Sequence, residues 1–225
     1  MLPHPMHTSR PPHRRLRALA LAWMAGFCLP AAADDLTPMR AALQAVAQGT
    51  LSPERQAALA GDPLYPWLEY AVLTRDIATL PPASAEDFLR RNDGMPVASL
   101  FRSQWLKELA RRQDWPTLLT DWAPTDNTAL RCARLQAQQQ SGKPPQDWNA
   151  QARAIWRSSG KSLPDACDPV FATLAQQGGL SDALRWERID LAIDAGQGGV
   201  IRAIARGLAA DQQPQANAYA AYLDQ

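Results

Sequence analysis

Gly142, Gly160, Gly178 and Gly196 recur at intervals of 18 residues in this 225-residue chain, and each closes a stretch with helical patterning. Glycine favours the left-handed backbone that ends many helices. The spacing therefore predicts one helix and one turn in each 18-residue unit, and a helix pair in about 36 residues. The residues between the glycines point the same way. Ala, Leu, Gln and Arg dominate, β-branched residues are scattered, and no run alternates apolar and polar side chains as a half-buried strand does. The expected fold class is all-α.

Start signals recur as well. Ser52-Pro53-Glu54, Asp62-Pro63, Ser84-Ala85-Glu86, Asp147, Asp165 and Ser181-Asp182 each put a capping oxygen ahead of an apolar-periodic stretch, twice with Pro in the first helical position. From Pro96 to Arg112, Val97, Phe101, Trp105 and Leu109 form one stripe at i, i+4 spacing. From Ser181 to Ala195, Trp186, Ile189 and Ile193 share one side and Leu184 and Leu191 mark another. A helix apolar on two sides has neighbours on two sides, which is the arrangement of stacked helices in a solenoid. A unit of about 36 residues is close to the ~34 of tetratricopeptide repeats, so short hairpins in a TPR-like array are expected. The loops Pro81-Pro82, Pro124 to Asn127 and Ser141 to Pro145 are too short to be interdomain linkers.

The first 33 residues read differently. Arg10, Arg14, Arg15 and Arg17 form a basic region without acids, an apolar run extends from Ala18 to Leu29, and Pro30 precedes Ala31-Ala32-Ala33. This is the order of a secretory signal peptide, with Ala31 and Ala33 as the small residues of the cleavage site and Asp34 as the first mature residue. Twelve apolar residues are too few to cross a bilayer, which takes about 20. Phe27 before Cys28 does not fit a lipoprotein signal, and Leu16-Arg17-Ala18 after Arg14-Arg15 does not fit a twin-arginine one. Residues 1–33 are expected to be a leader and 34–225 one helical domain, continuing to a last segment that still holds Tyr219, Tyr222 and Leu223.

Removing the leader sharpens what remains. Residues 34–225 hold 19 basic and 22 acidic side chains, a net charge of minus 3, which does not suit nucleic-acid phosphates. With 46% apolar residues and eight Trp, the chain is not disordered. His4, His7 and His13 all lie in the leader. The mature part therefore has no Ser/His/Asp or Cys/His pair and no His-containing zinc site. Cys132 and Cys167 are too few for a four-thiolate zinc site; in an oxidising compartment they are expected to form a structural disulfide, the alternative being two free buried thiols. No phosphate loop, nucleophile elbow or metal-ligand spacing occurs, so no cofactor and no metal are expected.

Glycosidic chemistry needs a carboxyl group able to act as an acid. Glu69, Glu108 and Glu187 lie beside aromatic residues in helical stretches, where each can equally be a solvated side chain or an ion pair with Arg one turn away. Trp105 and Trp186 sit on apolar stripes and read as core, whereas Trp115, Trp122 and Trp148, next to Asp or Pro, could be core or sugar-stacking platforms. No catalytic residue is assigned.

Four stretches, in order, carry a resemblance: Asp62 to Tyr70 (DPLYPWLEY), Ser103 to Trp115 (SQWLKELARRQDW), Lys161 to Phe171 (KSLPDACDPVF) and Ala183 to Gly196 (ALRWERIDLAIDAG). Together they resemble the soluble lytic murein transglycosylases. The resemblance implies a periplasmic protein whose short hairpins form an α-superhelix, a U-shaped domain that joins a lysozyme-like catalytic domain in a ring. It also implies peptidoglycan glycan strands as partners. The family reaction is a non-hydrolytic cleavage between N-acetylmuramic acid and N-acetylglucosamine that leaves a 1,6-anhydro product. Its catalytic Glu stands in a Glu-Ser motif, followed by Gly-Leu-Met-Gln and Asn-Ile-x-x-Gly signatures. No Glu in this chain precedes Ser and neither signature occurs, so no catalytic residue carries over. The expectation is the N-terminal arm of such an enzyme, from a truncated product or a segment of a longer coding region. The alternative is a stand-alone periplasmic helical-repeat module that holds partner proteins on its concave face.

Overall fold

A computed structural model of the protein describes residues 35–225. The leader assigned to 1–33 and its cleavage site at Ala31, Ala33 and Asp34 lie outside the described residues. Among the described residues the chain forms twelve α-helices and no strand. They are α1 (Thr37–Ala47), α2 (Pro53–Ala57), α3 (Tyr65–Arg75), α4 (Pro82–Arg91), α5 (Pro96–Arg112) and α6 (Trp115–Thr120). After them come α7 (Thr128–Gln140), α8 (Trp148–Trp156), α9 (Asp168–Gln176), α10 (Asp182–Asp194), α11 (Gly198–Ala205) and α12 (Gln213–Leu223). Short 3-10 turns at Ile77–Thr79 and Asp165–Cys167 precede α4 and α9.

Local chemistry sets most of the helix ends. The Ser52 hydroxyl accepts from the Arg55 amide to open α2, and the Ser181 hydroxyl accepts from the Leu184 amide at 3.3 Å to open α10. Asn127, at the end of an expected loop, and Asp114 cap α7 and α6 through the Leu130 and Thr117 amides. Four of the expected caps act otherwise. Pro82 starts α4, leaving Ser84 inside the helix. Asp62 closes a turn by accepting from the Leu64 amide at 2.7 Å, one step before α3. Asp165 lies in the 3-10 turn, and α9 starts at Asp168. Asp147 precedes α8 but accepts from the Gln151 side chain instead of a backbone amide.

Each interval between the periodic glycines holds one α-helix, as the spacing implied: α8, α9 and α10 in turn. Gly142, Gly178 and Gly196 adopt φ of 72°, 71° and 66°, the left-handed geometry expected of helix ends. Gly160 does not. It is four residues beyond the end of α8, has no left-handed backbone, and is pressed against α10, where an added Cβ would lie 1.9 Å from the Leu191 carbonyl oxygen. Its role is close approach, which only a residue without a side chain permits.

The principal contacts run between helices one or two places apart: α1 with α3, α3 with α5, α5 with α6 and α7, α6 with α7, α7 with α8 and α9, α10 with α11 and α12, and α11 with α12. The core is correspondingly serial. Met39, Ala42, Val46 and Leu68 form a first cluster, and a second is centred on Phe88, Phe101 and Trp105. A third surrounds Trp148, Ile155, Leu174 and Ile189. Helix α7 joins the last two: Leu130, Ala133 and Ala137 pack into the second, Cys132 and Leu135 into the third. It is a helix with two apolar faces. Helix α10 also has neighbours on two sides, α11 and α12 on one and Trp156 and the Gly160 loop on another, with Leu184, Ile189 and Ala192 buried and Trp186 and Ile193 packed beside them; of the residues assigned to its apolar sides only Leu191 is exposed, at 37%. A disulfide between Cys132 and Cys167 ties α7 to the turn that opens α9.

Candidate functional site

The three carboxylates that could have served as an acid are all bound by arginine. Glu69 on α3 takes both oxygens to Arg91 on α4, at 2.5 and 3.1 Å, and Arg91 also holds Asp87. Glu187 pairs with Arg157 at 2.6 Å on the surface. Glu108 is buried in α5 and accepts from Arg111 at 2.6 Å and from Arg112 at 2.8 Å. The hydrogen bond from Arg111 is the chief reason its pKa falls from 4.5 to about 2; that from Arg112 adds to it, and burial opposes both. Arg112 in turn lies over the Trp105 ring and donates to the carbonyls of Ile77 and Leu80. A carboxylate held this far down stays ionised and has no proton to give at neutral pH. The bonds to Arg at i+3 and i+4 make Glu108 a staple of α5 onto the turn before α4.

The tryptophans divide in a way their neighbours in sequence do not foretell. Trp148 is 3% exposed, with its indole N–H donated to the Leu135 carbonyl at 2.8 Å, so it is core and not a platform. Trp105 is fully buried and donates to Asp121 at 2.7 Å. Trp186 lies at the edge of the third cluster and donates to Gln212 at 2.6 Å. Trp115 and Trp122 are half-buried against the second cluster. Trp122 has Arg134 over its ring at 5.0 Å and, with Arg131 and Gln151, lines a cleft of about 280 Å³ between α7 and α8.

A second cleft, of about 250 Å³, holds the residue that sequence reasoning missed. Arg188 on α10 is only 6% exposed, with its guanidinium 4.3 Å from the Trp156 ring centre and 5.8 Å from that of Phe171. Those two rings meet edge to face at 4.9 Å. Nη2 donates to the Lys161 carbonyl at 3.4 Å, Nε has no partner, and among the described residues no carboxylate pairs with the group. Burial lowers the pKa of Arg188, partly offset by the charge of Asp168 across the cleft. A signal was present: Leu184, Arg188 and Ala192 share one i, i+4 row, so an arginine stands on the buried stripe of α10.

Among the described residues no group of His, Cys, Asp and Glu could hold a metal ion, and no helix is long and apolar enough to cross a membrane. Twelve helices in serial contact, a core divided along the chain and no strand among the described residues define the class: an all-helical fold. No protein-family model matches the chain. The soluble lytic murein transglycosylase of Escherichia coli strain K12 is 35% identical over 158 residues, which is 69% of this chain and 24% of that protein. The enzyme of the same name from Salmonella typhimurium strain LT2 is 32% identical over 200 residues, 85% of this chain and 30% of its own length. The crystal structure of the 70-kDa soluble lytic transglycosylase from Escherichia coli superposes with a TM-score of 0.74 at 30% identity, over 84% of this chain and 31% of that one. Over the stretch that matches, the chain belongs to the soluble lytic murein transglycosylase family. It spans less than a third of the length of these relatives.

Proposed function

We propose that residues 34–225 form the superhelical, U-shaped arm of a periplasmic lytic murein transglycosylase, delivered by the leader at 1–33, and that the arm embraces peptidoglycan glycan strands. The parent activity is cleavage of the bond between N-acetylmuramic acid and N-acetylglucosamine with a 1,6-anhydro product. The observation that carries this reading is homology at 30 to 35% identity across most of the chain. The ion pairs of Glu69, Glu108 and Glu187 support a non-catalytic arm, since each carboxylate is neutralised in place.

Two measurements on the 225-residue chain test it. On a murein zymogram the chain is expected to leave no clearing, and a clearing band would mean that one of its own carboxylates is catalytic. In a pull-down on purified sacculi the chain is expected to sediment with the murein. Absence of sedimentation would move the reading to a stand-alone periplasmic helical-repeat module that binds protein partners.

A further inference from the structure

We propose that the cleft beside Arg188 is a binding site for the terminal carboxylate of an acylated amino acid, such as the C-terminal residue of a short peptide. The argument starts from an imbalance. A guanidinium has five N–H donors in a planar fork, and a buried charge is ordinarily paired. Arg188 has one long hydrogen bond, to the Lys161 carbonyl, and its Nε has none. Trp156 and Phe171 offset part of the burial through their ring faces, but a ring face leaves the in-plane donors unused. A carboxylate is the group whose geometry matches that fork in two parallel bonds.

The other walls narrow the ligand. Asp168 lines the same cleft, and its carboxylate makes no hydrogen bond or ion pair among the described residues. It repels a bare anion but accepts from an N–H next to a carboxylate, which an acylated amino acid has and acetate lacks. Leu163, Val200 and Ile204 supply an apolar wall for a small side chain. At about 250 Å³ the cleft is at the small end for ligand sites and suits one residue. Its floor is prepared by the glycine spacing: because Gly160 has no side chain, the following loop reaches α10 and brings the Lys161 carbonyl to Arg188 and Ser162 to the rim. The site does not depend on the murein reading.

The test is calorimetric titration of the 225-residue chain, at fixed ionic strength, with N-acetylalanine, N-acetylalaninamide and sodium acetate. N-acetylalanine is expected to bind saturably and at least about tenfold more tightly than either control, the scale of losing one charge-assisted contact. Arg188→Met, which keeps an unbranched side chain at the buried position but removes the guanidinium, is expected to lose that binding by about tenfold or more. Equal binding of the amide would show that the carboxylate is not read, and equal binding of acetate that the N–H is not. Unchanged affinity in Arg188→Met, or no saturable binding of N-acetylalanine, would also overturn the proposal. If Arg188→Met does not fold, the comparison of acid with amide on the unaltered chain decides the matter alone.

Discussion

Gly160 rests on the backbone of Leu191, so closely that a Cβ in its place would come within 1.9 Å of the Leu191 carbonyl oxygen and 2.6 Å of the Ala192 nitrogen. Both obstacles are main chain, which cannot rotate away. Gly160→Ala is therefore expected to cost about 3 kcal/mol by forcing the loop off α10. Gly142, by contrast, faces open space but has a φ of 72°, so Gly142→Ala is expected to cost only about 1 kcal/mol of backbone strain. Urea unfolding of the two variants checks the order; equal losses would mean that the Gly160 contact is not structural.

Glu108 gives the protein a definite acid sensitivity. Its pKa is depressed from 4.5 to about 2, so its ionisation contributes stability above about pH 4.5 that is lost as pH falls toward 2. Glu108→Gln is expected to lower stability at pH 7 by about 2 kcal/mol, because it leaves Arg112 over Trp105 without its carboxylate. The gap between the variant and the unaltered chain should narrow by pH 3. Urea midpoints at pH 7 and pH 3 measure this, and a gap that widens toward acid would reverse the assignment.

The bond between Cys132 and Cys167 closes a loop with a sequence separation of 35 and lies within the third core cluster, where it ties α7 to the turn that opens α9. In the chain-entropy estimate it contributes roughly 4 kcal/mol. Cys132→Ser with Cys167→Ser should lower the urea midpoint to the same degree as reductant lowers that of the unaltered chain. A thiol assay on the unfolded, unreduced chain should find neither Cys132 nor Cys167 free.

Trp148 and Trp122 separate core from surface. Trp148→Phe removes the buried donor to the Leu135 carbonyl and is expected to cost about 2 kcal/mol, read as a loss in thermal or urea stability. Trp122→Phe, at a half-buried ring stacked with Arg134, is expected to cost less than about 1 kcal/mol. Similar losses at both positions would make Trp122 core as well.

Much of the candidate site was out of reach of the sequence for one reason: partners lie far apart along the chain. Glu69 meets Arg91 across 22 positions and Arg188 meets the Lys161 carbonyl across 27. Glu108 is the instructive middle case. Its arginines stand three and four residues on, so the ion pairs were legible, while the Ile77 and Leu80 carbonyls that bury the cluster were not. Trp148, beside Asp147, could be core or platform from the sequence; it is the first residue of α8 and turns inward onto α7.

Helical class, one helix in each 18-residue interval from Gly142 to Gly196, the Ser52 and Ser181 caps and the stripe on α5 followed from the sequence alone, because each depends on local backbone preference; the disulfide of Cys132 with Cys167 was the expected one of two readings. That α7 bridges two core clusters, that Gly160 serves contact and not termination, and that an arginine stands unpaired inside a cleft were decided by tertiary structure. Those properties come from distances between helices, and periodicity within one helix does not encode them.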